Sequence, residues 1–320
     1  MTKVLMLSAK WCDGNPSLGL SNDFHNVFNS FRQSFSEIQY DILFYDECLI
    51  TYSSHINDIL LNYCEKNNVT TIIVSLMGNS HLNPSIELLA QLKNLGYKVC
   101  IIWPDTGPTW GMQTMAAIGE KVSLHVSWDN PRSQFHDNTP RVSNYLNLWT
   151  PEDNTLFRFL DFDKKDIDVS FLGSTDKYHD RLFFLNHLKK FANIYISGGQ
   201  RDKRLSPEQY ADITRRSKIG INFALSQTGV FWQAKGRIFE YTMSGALLLD
   251  LANPSTKDFF TPGEDFIEFV NIEDLINKIS YYLNNKDDRE KIALQGHKTC
   301  LSKYSSYKYW EAILKTMNSI

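Results

Sequence analysis

The chain has 320 residues, too many for one ordinary hydrophobic core and suited to two α/β domains of about 150 residues each. Apolar residues make up 42% and charged residues 22%, a globular composition that excludes a disordered chain. The net charge of −3 excludes a general electrostatic pull toward nucleic acid or anionic membrane.

The N-terminal half opens on KVLMLS, a short apolar run over residues 3–8, followed by a loop rich in Gly, Asn, Pro and Ser. Residues 22–35 then carry Phe24, Val27, Phe28, Phe31 and Phe35 at helical spacing. Strand, polar loop, helix is the opening of a βαβ unit. Strands are expected at 40–45, 70–76 (TTIIVSL), 98–103 (KVCIIW) and 122–127, with helices at 56–67 and 84–95, the latter closed by Gly96. LWTPED at 148–153 breaks the alternation and reads as a crossover.

A second α/β series follows. Strands are expected at 168–173 (DVSFLG), 193–197, 219–223 and 246–251 (ALLLDL). Helices are expected at 180–191, 207–217 with Ser206 as N-cap, 238–243, 272–283 and through most of 287–320. The fold class is therefore α/β, with two Rossmann-like, doubly wound domains at 1–150 and 151–305. Residues 306–320 form a C-terminal helix that could cross back to the first domain.

The C-terminal half holds the sharpest chemical signal. Lys235, Gly236 and Arg237 stand at the predicted start of a helix, where free N–H groups and the helix dipole favour an anion, and Glu240 lies one turn later. Two cations and a glycine suit a diphosphate, and the carboxylate suits ribose hydroxyls. A solvated charged turn accounts for the same spacing equally well. Strand ends supply a second set: Gly173 and Ser174, followed by Lys177 and Arg181, then Gly198 and Gly199, followed by Arg201, Lys203 and Arg204. Small residues there let a backbone approach a phosphate, although each also reads as ordinary turn glycine or surface cation.

In the N-terminal half, Asp13, His25, Asp105 and Asp129 fall at or after predicted strands, Asp105 and Asp129 close to tryptophans. Carboxylates beside aromatics suit sugar hydroxyls and also serve as turn formers. Metal signals are poor. The histidines are scattered, no C-x-x-C or H-x-x-x-H occurs, and the D-x-D strings at Asp161 and Asp166 lie in a charged connection. No dinucleotide, P-loop or hydrolase fingerprint is present. Five scattered cysteines, Cys12, Cys48, Cys64, Cys100 and Cys300, read as free thiols of a reducing compartment. With no leader-like start and no run of 18 apolar residues, a cytoplasmic protein without a transmembrane segment is expected.

Residues 235–310 resemble the C-terminal domain of group 1 glycosyltransferases of GT-B fold, in the branch typified by the spore maturation protein CgeB. The pieces are KGRIFEYTMSGALLLD, FFTPGEDFIEFVNIEDLINKISYYLNN and REKIALQGHKTC, with DVSFLGSTDKYHDR and LNLWTPEDNTLF earlier. The resemblance implies two facing domains with a cleft, the donor in the second and the acceptor in the first. Glu240, five residues before Gly245, matches the family's ribose-binding glutamate, and Lys235 and Arg237 match its donor-phosphate cations. An earlier glutamate common in the wider family is Trp232 here. The implied activity is metal-independent hexosyl or pentosyl transfer from a UDP- or GDP-linked sugar, the nucleotide-sugar being a substrate and not a cofactor. The acceptor is left open among glycan, protein, lipid-linked and modified nucleic acid hydroxyls. Asp13, His25 and Asp105 are unranked candidates for a base at that hydroxyl. The alternatives are a nucleotide-sugar epimerase on the same fold and a catalytically inactive binding module.

Overall fold

The expected alternation of apolar strands and helices produces two separate parallel sheets. The computed structural model describes residues 3–106, 109–129, 142–175, 178–198, 205–226, 229 and 231–320. Two units result: Met1–Asp153 with Ser306–Ile320, and Asn154–Ser305.

In the first unit, β1 (Lys3–Ser8), β2 (Gln39–Phe44), β3 (Thr71–Ser75), β4 (Lys98–Trp103), β5 (Leu124–Ser127) and β6 (Tyr145–Asn147) form a sheet in the order β2-β1-β3-β4-β5-β6. Every pairing is parallel. Successive strand residues point to opposite faces, so both faces must be apolar. Leu5, Leu7, Ile72, Val74, Val99 and Ile101 pack on one side with Leu60 and Leu89. Val4, Met6, Ile73, Cys100, Ile102 and Val126 pack on the other with Phe31, Trp310 and Ile313.

The helix Ser306–Ser319 thus completes the first unit's core from the far end of the chain. Trp310 is fully buried, stands edge-on to Phe31 at 5.2 Å and donates its indole N–H to Ser30 Oγ at 2.8 Å. Trp128 likewise donates to Tyr309 Oη at 2.9 Å. Each of these buried aromatics covers both its apolar body and its polar atom.

In the second unit, β7 (Ile167–Leu172), β8 (Ile194–Ser197), β9 (Ser217–Asn222), β10 (Leu247–Leu251) and β11 (Ile267–Phe269) run in the order β11-β10-β9-β7-β8. All pairings are again parallel. One face carries Phe171, Ile219, Ile221, Leu247 and Leu249 against Leu185, Leu275 and Ile279. The other receives the helix Arg237–Met243. Gly220, in the middle of β9, makes that approach possible, because a Cβ there would run into the Tyr241 ring. Tyr241 Oη then reaches Ser170, with 2.9 Å to its Oγ.

Several boundaries differ from the sequence reading. Within residues 22–35, Phe24–Asn29 winds as a π-helix, with a Ser30 N–H bond back to His25 O, before Ser30–Ser34 turns α-helical. Tyr45–Tyr52 and Thr109–Ile118 are helices that the sequence reading omitted. The three-residue strands β6 and β11 were also omitted, being too short to show a period. The expected N-cap is present: Ser206 Oγ accepts from Gln209 N, and Gln209 answers to Ser206 N.

Candidate functional site

In an open parallel sheet, loops gather at the carboxyl ends of the strands, and ligands bind there. In the second unit those ends carry polar residues after otherwise apolar runs. Asn222 closes β9, Asp250 stands next to the last residue of β10, and the two face each other in register. Both are fully buried. Leu172 closes β7, followed by Gly173, and Gly198 follows β8.

Arg237 reaches across these ends. Arg237 is 9% exposed, and its guanidinium donates from Nε to Asn222 Oδ1 at 3.1 Å and from Nη1 to Leu172 O at 2.8 Å and lies 4.9 Å from the Phe171 ring centre. The third edge, Nη2, is buried with no hydrogen-bond partner among the described residues. A Cβ at Gly173 would collide with this guanidinium, and one at Gly198 would come within 2.7 Å of Gly173 O. The two strand-end glycines thus make the space that the arginine fills.

Glu240 is half-buried one turn later and accepts a hydrogen bond from Tyr210 Oη. Desolvation pushes its carboxyl up to about 7, against the Tyr210 hydrogen bond and the Arg237 charge, which both pull it down. Asp250 is raised to about 6 by desolvation, opposed by donors from Thr256, Asn253 and Asn222 and by the Arg237 charge.

The sequence reading located anion binding in free N–H groups at a helix start. At that helix start Ile238 N bonds Lys235 O, and both Phe239 N and Glu240 N bond Gly236 O. The helix has only seven residues, so its dipole is short as well. Lys235 is half-buried and donates to the Gln233 side chain.

Arg181 is buried and braces two loops, donating to Ser174 O at 3.0 Å and Phe223 O at 3.2 Å over the Tyr178 ring. Gly199, Arg204, Lys177, Arg201 and Lys203 lie outside the described residues. The structure therefore joins Gly173, Gly198, Arg237 and Glu240 into one constellation, with Ser174 and Arg181 beside it.

In the first unit the three candidate bases stand on separate segments. Asp13 is exposed, in a left-handed conformation with φ 51°, in the turn Cys12–Gly14. Asp105 is exposed just after β4, and its carbonyl backs onto Gly111, where a Cβ would sit at 2.9 Å. His25 is buried on the π-helical segment, its Nδ1 3.3 Å from Asp153 Oδ2 and its Nε2 without a partner among the described residues. Gln33 at 2.7 Å and Asn29 at 3.2 Å also donate to Asp153. This cluster pins the end of the crossover segment to the first helix. Asp129 is buried and accepts from Thr106 N at 3.1 Å.

Four residues escaped the sequence reading. Asn222 and Asp250 carried a visible signal, a polar side chain ending a buried apolar strand, where burial is costly unless partnered. Tyr210 carried none, since it comes from a helix distant in sequence. Asp23 is half-buried at the carboxyl end of β3, accepts from Ser75 Oγ at 2.7 Å, and is raised to about 6 by desolvation and then by Asp46. Among the described residues no three His, Cys, Asp or Glu side chains gather as metal ligands, and no helix is long and apolar enough to cross a membrane.

The family model described as glycosyl transferase-like matches residues 156–315, half of the 320-residue chain. No curated protein matches it. Solved structures match along both units. Anabaena HepE, in complex with UDP and glucose, has TM-score 0.65 at 9% identity, covering 100% of each chain. Sucrose-phosphate synthase from Thermosynechococcus elongatus has TM-score 0.64 at 10% identity, covering 100% of this chain and 98% of that one. A Listeria monocytogenes protein described as a UDP-N-acetylglucosamine 2-epimerase has TM-score 0.59 at 12% identity, covering 99% and 96%. The fold is GT-B.

Proposed function

Since the chain belongs to the glycosyl transferase-like family, we propose that it moves a sugar from a nucleotide-sugar donor to an acceptor hydroxyl, holding the donor diphosphate at Arg237. The observation that carries this reading is the buried Nη2 of Arg237, a charged donor with no partner among the described residues. Leaving such a group empty is costly, and a phosphate oxygen fills it with a charge-assisted bond. The HepE complex with UDP supports a UDP-linked donor, with GDP as the second nucleotide to test.

The chemistry follows from the charge. The bond between the anomeric carbon and the diphosphate oxygen breaks, and its electron pair leaves with the diphosphate. The acceptor oxygen bonds to the anomeric carbon and gives up its proton. Negative charge grows on the leaving group, where Arg237 is already held in place, so its contact strengthens in the transition state. Glu240 accepts ribose hydroxyls, which do not change during the reaction. This division supports leaving-group stabilisation without a metal.

The stretches KGRIFEYTMSGALLLD and REKIALQGHKTC support the CgeB branch of the family. Five buried free cysteines support a cytoplasmic location.

The test is calorimetric titration of the full chain with UDP and GDP, followed by incubation with UDP-glucose, UDP-N-acetylglucosamine and GDP-mannose. Nucleoside diphosphate binding that weakens in Arg237→Ala, together with slow release of free sugar and nucleoside diphosphate by the wild-type chain, is expected, and EDTA leaves both unchanged. Inversion at C2 of the sugar without release overturns the transferase in favour of an epimerase. Binding without turnover points to an inactive module.

A further inference from the structure

Resting on the donor reading above, we infer that Asp250, acting through Asn222, is the residue that positions Arg237 and keeps its free edge aimed at the diphosphate.

An amide has two unlike ends on one planar group. Asn222 has an oxygen at one end and two donors at the other. Only the oxygen can face Arg237 Nε, because a guanidinium has donors alone. Something must therefore hold the amide that way round. Asp250 Oδ1 does so, accepting from Asn222 Nδ2 at 3.0 Å. An ionised carboxylate offers no donor, so the opposite amide orientation leaves both ends of Asn222 mismatched.

Asp250 is itself over-determined. Its second oxygen accepts from Asn253 Nδ2 at 3.0 Å and from Thr256 Oγ1 at 2.5 Å. Asn253 is fixed in turn by accepting from Thr256 N at 2.9 Å and donating to Leu251 O at 2.7 Å. Asn222, Asp250, Asn253 and Thr256 are each at most 4% exposed. A carboxylate and two amides in a sheet core are expensive, and an apolar set would hold the strands at less cost. Among the described residues, the array reaches the site through Asn222 Oδ1 against Arg237.

The register of the sheet makes this possible. Asn222 and Asp250 are paired neighbours on β9 and β10, and Leu172, which receives Arg237 Nη1, ends β7 on the other side of β9. Two acceptors on adjacent strand ends fix two edges of the guanidinium plane, and the plane then fixes the third.

The experiment measures nucleoside diphosphate release from UDP-glucose, UDP-N-acetylglucosamine and GDP-mannose by the full chain, using whichever reacts fastest. Asp250→Asn puts an NH2 group into the array and turns Asn222. It is expected to lower kcat on the order of 10-fold, with donor KM changed less than about 3-fold, as loss of alignment does. The exchange variant Asn222→Asp with Asp250→Asn restores an acceptor facing Arg237 and a donor between the two strands. It is expected to recover kcat to within about 3-fold of wild type, because every hydrogen bond in the array is again matched. It also keeps the test alive if the single variant fails to fold. In an Arg237→Ala background, Asp250→Asn is expected to cost no more than about 2-fold further, since residues acting through one group are not additive.

An equal loss with and without Arg237, or an exchange variant no better than Asp250→Asn, overturns the inference and leaves the donor reading standing. If Arg237→Ala retains wild-type kcat while folded, the donor reading fails and the inference falls with it.

Discussion

The strand ends of the two sheets have the same topology and opposite chemistry. In the second unit, Arg237 lies across Leu172 and Asn222 with one donor edge unfilled among the described residues. In the first unit the equivalent ends of β1, β2 and β3 are acidic. Buried Asp46 accepts from Lys10 N at 3.0 Å and Trp11 N at 2.8 Å, and Asp23 accepts from Ser75. The first set lacks an acceptor, whereas the second consists of acceptors already supplied by their own chain. A parallel sheet thus provides a place for ligands, and the residues ending its strands decide their charge.

The largest expected effect breaks the comparison at its centre. Arg237→Ala should lower kcat on the order of 100-fold or more, comparable to removing one preorganised donor from a developing anion. Steady-state kinetics on the folded variant decide it. Unchanged kcat would mean that the free Nη2 edge is an accident of packing and that the two strand-end sets differ only in appearance.

Glu240→Gln sharpens the contrast within the second unit. A uniform contact to the ribose predicts a donor KM raised about 10-fold with kcat much less affected, the value of one hydrogen bond to a charged group. Because the Glu240 carboxyl is raised to about 7, it is largely protonated below that pH and accepts poorly. Donor KM should therefore rise as pH falls through 7, and Glu240→Gln should flatten that dependence. A KM that stays level between pH 6 and 8 in the wild-type protein would remove Glu240 from the ribose.

Tyr210→Phe is a smaller perturbation of the same limb. The Tyr210 hydroxyl donates to Glu240 and favours its ionised form. Without it the carboxyl rises further, and the acid limb of donor KM should move to higher pH by less than about one unit. A shift to lower pH, or none, would show that the tyrosine acts elsewhere.

The smallest effect belongs to the first unit and concerns stability. Asp23 is raised above its ordinary value of 3.8 to about 6. Its contribution is therefore full below the unfolded value and is lost as pH rises through 6. Asp23→Asn removes that loss, since an amide oxygen still accepts from Ser75. The variant should melt about 2 °C above wild type at pH 8, with the difference gone by pH 4. Asp250→Asn should do the opposite at pH 8, because it breaks an array of three donors. Melting curves of both variants at the two pH values test whether two carboxylates raised alike differ by their partners.

The fold was largely legible in the sequence. Runs such as TTIIVSL and ALLLDL are apolar on both faces, and only strands covered on both sides need that, so a pair of doubly wound sheets follows from local pattern. The strand-end glycines were legible for the same reason, as breaks in an apolar run. In the structure Gly173 stands against Arg237, and Gly198 against Gly173.

Local pattern could not say what Arg237 does. Spacing made it a cation at a helix start, where it could as well have been solvated. Its role depends on Leu172, 65 residues away, and Asn222, 15 residues away, which become neighbours only because β7 and β9 are adjacent. Periodicity reports which residues are buried, since burial is a property of one element at a time. Whether a buried donor is satisfied depends on what other elements bring to it, and that is decided only when the strands are in register.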